Sequence, residues 1–147
     1  MIRMIAVDID GTLLDSRGQL PPANRDALAD ASARGIAIVL ATGRAFHFAR
    51  PVAEALAIPL TLIVNNGAVL KELDGTARIK RLLRSDVARH VLSGTPGHEQ
   101  SVAVVFDRAP GDDRPEILFE QMDWTHPHRK GYYRRNQAFI GEVPRLA

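Results

Sequence analysis

The sequence predicts an α/β fold, a Rossmann-like parallel sheet with helices on both faces. Three observations carry that expectation. Continuous apolar runs at Met4-Ile5-Ala6-Val7, Ile36-Ala37-Ile38-Val39-Leu40-Ala41 and Leu60-Thr61-Leu62-Ile63-Val64 read as strands buried on both faces. Helix-forming stretches long enough for parallel crossovers separate them. Each run ends abruptly in residues that can do chemistry: Asp8-Ile9-Asp10-Gly11-Thr12, then Thr42-Gly43-Arg44, then Asn65-Asn66-Gly67-Ala68. In open α/β sheets, ligands sit at the carboxyl ends of the strands.

Composition bounds the function classes. The chain has 147 residues, 46% hydrophobic and 24% charged, an ordinary globular balance with enough length for a sizeable core. It has no cysteine, which excludes disulfides and thiolate metal sites. No apolar run approaches a membrane span, and acids within the first ten residues argue against a signal peptide. A cytoplasmic protein with no membrane partner is expected. A net charge of +2 is too small to argue for a nucleic-acid partner.

The first strand leads into two carboxylates. Asp8 and Asp10 are two residues apart and project to the same side while the chain stays extended. Gly11 then lets the backbone turn away. Two neighbouring carboxylates repel, so either a divalent cation binds them or one keeps its proton. One could attack phosphorus while its neighbour moves the proton. An acidic turn facing solvent is the competing reading. An EF-hand is excluded, because its twelfth position, counted from Asp8, is Gln19.

Asp15-Ser16-Arg17-Gly18 is a turn signal. Pro21-Pro22 opens an Ala-rich helix over 23–34, which Gly35 stops. The second strand ends in Thr42-Gly43, where a hydroxyl and backbone N–H groups before a helix would suit phosphate. A capping threonine is the plainer alternative. Ala45 to Leu56 reads as the next helix, with Pro51 near its start or at a kink. After the third strand, Asp74-Gly75 between two short apolar–polar runs predicts a hairpin over 69–80.

Beyond Leu82-Leu83 the chain leaves this pattern. Ser85 is expected to cap a helix over 86–92. A loop over 94–100, a strand over 101–106, a polar loop over 107–115 and a strand over 116–120 should follow. The last stretch is basic and aromatic, with His126, His128, Arg129, Lys130, Tyr132, Tyr133, Arg134 and Arg135. It reads as a solvated helix face, a substrate-facing patch or a nucleic-acid patch, in falling order of weight. The His126–His128 pair alone is a weak metal signal.

Taken together, Asp8-Ile9-Asp10-Gly11-Thr12-Leu13-Leu14, Ala41-Thr42-Gly43-Arg44 and the Asn-Gly-Ala after the third strand resemble the haloacid dehalogenase (HAD) superfamily, in its Cof-type sugar-phosphate phosphatase branch. The resemblance implies an Mg²⁺-dependent phosphatase of a small phosphorylated metabolite, a sugar phosphate, working through an aspartyl-phosphate. It makes Asp8 the nucleophile and Asp10 the general acid/base, with both as metal ligands. Gly11, Thr42 and Gly43 would bind phosphate, and Arg44 and Asn66 would support the substrate. It also implies a core over 1–81 and the start of an α+β cap of the C2 type over 82–147.

The family's third motif, a lysine, and fourth, an acidic cluster, have no counterpart. Lys71, Lys80 and Lys130 lack the third motif's context, and Gly141-Glu142 is followed by Val143-Pro144-Arg145. A truncated pattern with an incomplete core is therefore expected. Its first strand would present an exposed edge, open to a homo-oligomer. A non-catalytic phosphate- or partner-binding remnant and a sugar phosphomutase are the competing functions.

Overall fold

A computed structural model describes residues 1–94, 97, 102–120 and 122–146. The chain divides into two compact units, Met1–Leu82 and Leu83–Ala147.

Unit 1 is a βαβαβ unit followed by a hairpin. Strand β1 (Met4–Val7) leads through α1 (Pro22–Ala33) to β2 (Ala37–Ala41), then through α2 (Phe46–Leu56) to β3 (Thr61–Val64). The hairpin strands are β4 (Val69–Lys71) and β5 (Ala77–Lys80). The sheet order is β1-β2-β3-β4-β5. β1, β2 and β3 run parallel, with Ile5 beside Ile38 and Leu40 beside Leu62. The expected α/β sheet is thus present, but it is mixed: β4 runs antiparallel to β3, and β5 to β4.

The helices form where the sequence placed them. Pro22 opens α1, where a missing N–H costs nothing. Gly35, at φ +77°, reverses the chain after it. α2 buries Phe46, Ala49, Ala53 and Leu56 along one stripe, carries Pro51 inside, and ends with Ala57 in the left-handed region. Both helices join one core with Ile38, Leu40, Leu62, Val64 and Val69.

One expectation is overturned here. β1 is not buried on both faces. It is the edge strand, and its Met4 is 60% exposed. The reason is topological. Strands added in sequence order by crossovers of one hand bring their helices to one face, and β1 has a strand on one side only.

Unit 2 contains α3 (Ser85–Ser93), a three-stranded sheet and α4 (Pro127–Asn136). Its sheet order is β6-β7-β8, with β6 (Ala103–Val105) antiparallel to β7 (Ile117–Glu120) and β8 (Ile140–Val143) parallel to it. Trp124 packs edge-on to Phe119, lies against Tyr133 and donates its indole N–H to Glu142. Ser85 does not cap α3. Arg84 holds the cap position and makes no side-chain cap hydrogen bond. β8 was not foreseen, because Ile140-Gly141-Glu142-Val143 is too short and too Gly-interrupted to read as a strand. Residues 95, 96 and 98–101 of the expected loop and strand lie outside the described residues.

Candidate active site

Three loops leave the carboxyl ends of β1, β2 and β3. The first is a wide turn over Ile9–Leu13 in which Asp10 stays extended and Gly11 takes a left-handed conformation. Leu13 N–H donates to Asp8 O at 3.1 Å and Leu14 N–H to Ile9 O at 3.0 Å. Gly11 sits at φ +77°, which explains a glycine there. Ile9 is 0% exposed and anchors the turn in the core, while Asp8 and Asp10 on either side of it are exposed. The alternation expected of an extended segment therefore holds through Asp10.

The second loop, Thr42 to Ala45, precedes α2. The Thr42 hydroxyl does not cap this helix, because Ala45 is its cap residue. Instead Thr42 Oγ1 accepts the N–H of Arg44 at 3.1 Å, which tightens the loop into a small turn. Thr42 is 6% exposed. A hydroxyl that accepts one bond keeps a proton to donate.

The third loop braces the second. Asn65 N–H donates to Arg44 O at 2.9 Å, and Asn66 N–H donates to Thr42 O at 3.3 Å. Thr42 N–H in turn donates to Ile63 O at 2.9 Å. Asn65 and Asn66 both hold positive φ, 52° and 55°. Asparagine is among the few residues that accept this conformation readily. The Asn66 carboxamide lies over Gly43. A Cβ added to Gly43 would come within 2.7 Å of Asn66 Oδ1. A larger residue at Gly43 would oblige the exposed Asn66 carboxamide to turn aside.

Arg44 ties the second loop to the first. Its Nε donates to Asp10 Oδ2 at 2.8 Å and its Nη2 to Asp10 Oδ1 at 2.6 Å. Its Nη1 donates to Phe48 O at 3.0 Å. The Arg44 hydrogen bonds hold the Asp10 carboxyl below the usual carboxylate range, against a smaller opposing effect of burial. Asp10, and less strongly Asp8, raise the Arg44 guanidinium in return. Asp8, Asp10, Thr42, Gly43, Arg44 and Asn66 therefore share one end of the sheet.

Hard carboxylate oxygens suit Mg²⁺, which is often held by one or two carboxylates plus substrate phosphate and water. Asp8 and Asp10 supply oxygens of that kind, although both Asp10 oxygens accept hydrogen bonds from Arg44 in this structure, and among the described residues no His, Cys, Asp or Glu joins them in a group of three or more. The weak His126–His128 metal signal gains no support from the described residues, and the His128 side chain lies outside them.

Two contacts at this site carried no clear sequence signal. The Phe48 carbonyl that steadies Arg44 is backbone, which no side-chain motif marks. Lys71 is 2% exposed on β4, and its ammonium lies 4.7 Å from the ring centre of Phe46, the first residue of α2. The period-2 pattern that puts Val69 inside also puts Lys71 inside, although its charge argues otherwise. Among the described residues, no helix is long and apolar enough to cross a membrane.

Known proteins resemble this chain in sequence and fold. The model of the haloacid dehalogenase-like hydrolases matches residues 5–128. The 5-amino-6-(5-phospho-D-ribitylamino)uracil phosphatase YcsE of Bacillus subtilis (strain 168) is 34% identical over 85 residues, 58% of this chain and 34% of that protein. The HMP-PP phosphatase of Enterobacter sp. (strain 638) is 33% identical over 146 residues, 98% of this chain and 51% of that protein. A solved haloacid dehalogenase-like hydrolase from B. subtilis superposes with a TM-score of 0.72 at 22% identity, over 99% of this chain and 55% of that one. The chain thus spans about half, or less, of the length of these proteins.

Proposed function

This chain belongs to the haloacid dehalogenase-like hydrolases, and from that premise we propose that it is the nucleophile-bearing part of an Mg²⁺-dependent phosphatase. Its substrate would be a small phosphorylated metabolite, the kind of compound that the relatives' names give for those proteins; a sugar phosphate is the class that the sequence resemblance favours. Residues 1–81 would be the corresponding part of the core, and residues 82–147 part of a C2-type cap.

The observation that carries the reading is the convergence of Asp8, Asp10, Thr42 and Gly43 on adjacent loops of parallel strands, bound together by Arg44 and the Asn65-Asn66 turn. The Asp8 carboxylate attacks phosphorus, and the bond to the leaving oxygen breaks as the aspartyl-phosphate forms. Asp10 is the proton carrier: it passes a proton to that oxygen, a step that the Arg44 pair opposes by favouring the carboxylate, and afterwards takes one from the water that releases phosphate, a step that the pair favours. The Thr42 hydroxyl and the Gly43 N–H hold the phosphoryl oxygens in line. Mg²⁺, held by Asp8 and Asp10, would offset the negative charge gathered there.

The test is phosphate release from an aryl phosphate, with and without Mg²⁺, by this chain and by Asp8→Asn. Release that needs both the metal and Asp8 supports the reading. Release that survives Asp8→Asn removes Asp8 as the nucleophile. Phosphate binding without release favours a phosphate-binding remnant, and an isomeric product favours a phosphomutase.

A further inference from the structure

The wide turn that carries Asp10 follows a strand with little lateral support. Among the described strands, β1 pairs with β2 alone. Arg44 steadies Asp10, near the middle of the turn, from the second loop. The far end of the turn, at Leu13, is held from a different element.

Asn24, the third residue of α1, donates its side-chain Nδ2–H to Leu13 O at 2.9 Å, across 11 positions of chain. The bond is partly buried, and Leu13 and Leu14 are buried in the core. Leu13 N–H donates in its turn to Asp8 O at 3.1 Å. Leu13 is therefore bonded on one side to the main chain of the proposed nucleophile and on the other to α1. Asparagine near a helix start commonly bonds its own helix. Asn24 does not: the cap residue of α1 is Pro21, and no side-chain cap bond is made. The carboxamide instead reaches out to the turn. Only a donor can serve a carbonyl, so the amide nitrogen is the half of Asn24 that matters there.

We propose that Asn24 is a positioning residue for the nucleophile turn: its carboxamide holds the Leu13 carbonyl, and through Leu13 it fixes the turn that presents Asp8 and Asp10. It acts through the main chain, not on the reacting atoms. A slack turn would misplace Asp8 against the Thr42 hydroxyl and the Gly43 N–H, which stand on another loop, and small misplacements are costly to a displacement in line. The effect on turnover rests on the phosphatase reading, whereas the brace itself can be measured without turnover.

The experiment compares the full chain with Asn24→Asp and Asn24→Ala by amide hydrogen exchange. Aspartate has nearly the shape of asparagine and cannot donate while ionised. It also favours the first turn of a helix, where α1 carries no acid. The two roles therefore predict opposite outcomes. If Asn24 served α1 alone, Asn24→Asp would leave the turn unchanged and the fold as stable as before, or more so. As a brace, Asn24→Asp should speed exchange at the Leu13 and Leu14 amides about tenfold relative to the amides of β2. Asn24→Ala adds no charge and should speed the same two amides about fivefold. With an aryl phosphate, both variants should lower kcat and leave KM little changed. Exchange at Leu13 and Leu14 that stays at the parent level, or that rises equally throughout β2, overturns the inference. So does a loss of turnover carried by KM alone. A chain that shows the local exchange but releases no phosphate in any form refutes the phosphatase reading and leaves the brace standing.

Discussion

Arg44 grips Asp10 at two points, Nε on Oδ2 at 2.8 Å and Nη2 on Oδ1 at 2.6 Å, although the two residues are 34 positions apart in the chain. The pair closes the first loop onto the second and makes one site of two motifs.

That pair predicts a pH dependence. Arg44 lowers the folded-state pKa of Asp10 relative to the unfolded chain. Its contribution to stability is therefore complete above the unfolded value, about 3.9, and is lost as pH falls through the folded value. Both side chains are partly exposed, so the contribution stays below about 1 kcal/mol. Urea midpoints of the parent and Arg44→Gln should differ above about pH 4 and converge in more acid solution. A constant difference across that range would refute the assignment.

Gly43 and Asn66 should couple. Gly43→Ala sets a methyl group against the Asn66 carboxamide at 2.7 Å, and turning that exposed side chain aside should cost about 0.5–1.5 kcal/mol. Asn66→Gly keeps the left-handed backbone available and removes the obstruction. The double variant should recover most of the loss, read as a coupling energy in a double-mutant cycle. Simple additivity would mean that the carboxamide does not rest on Gly43 in solution.

The fold and the chemistry of the first loop should separate. Ile9→Ala removes a fully buried side chain and should cost about 2–4 kcal/mol. Asp8→Asn, at an exposed neighbouring position, should change stability by no more than about 0.5 kcal/mol. Thermal unfolding of the two variants checks both. A large loss in Asp8→Asn would make Asp8 a structural residue.

The free edge of β1 should mediate self-association. Among the described residues no strand pairs with its outer side, and Met4 is exposed. Sedimentation should show a concentration-dependent species in the parent chain that weakens in Met4→Lys, with no loss of secondary structure. A monomer at all concentrations would set the homo-oligomer aside.

Much of unit 1 was legible because its signals are local. Apolar runs of strand length mark β1, β2 and β3, proline and glycine bracket α1, and Asp74-Gly75 marks the hairpin. The site motifs were legible for the same reason, since each lies within a few residues of a strand end. Unit 2 was harder to read. β8 pairs with β7 between residues 23 positions apart, as at Ile117 and Ile140, and Ile140-Gly141-Glu142-Val143 draws its strand character from that partner. The helix cap was misassigned at Ser85, and the capping alternative at Thr42 does not hold, because a hydroxyl near a helix start can equally bond a neighbouring turn or face solvent.

The sequence by itself determined that Asp8, Asp10, Thr42 and Gly43 stand at the ends of parallel strands, because strand period, chain reversal at glycine and crossover length are properties of short segments. Only the tertiary structure decided which face of β1 is covered, that Lys71 is buried under α2, and that Arg44 holds Asp10 and rests on the Phe48 carbonyl. Those outcomes depend on which distant groups meet, and packing and charge pairing select them only once the strands are side by side.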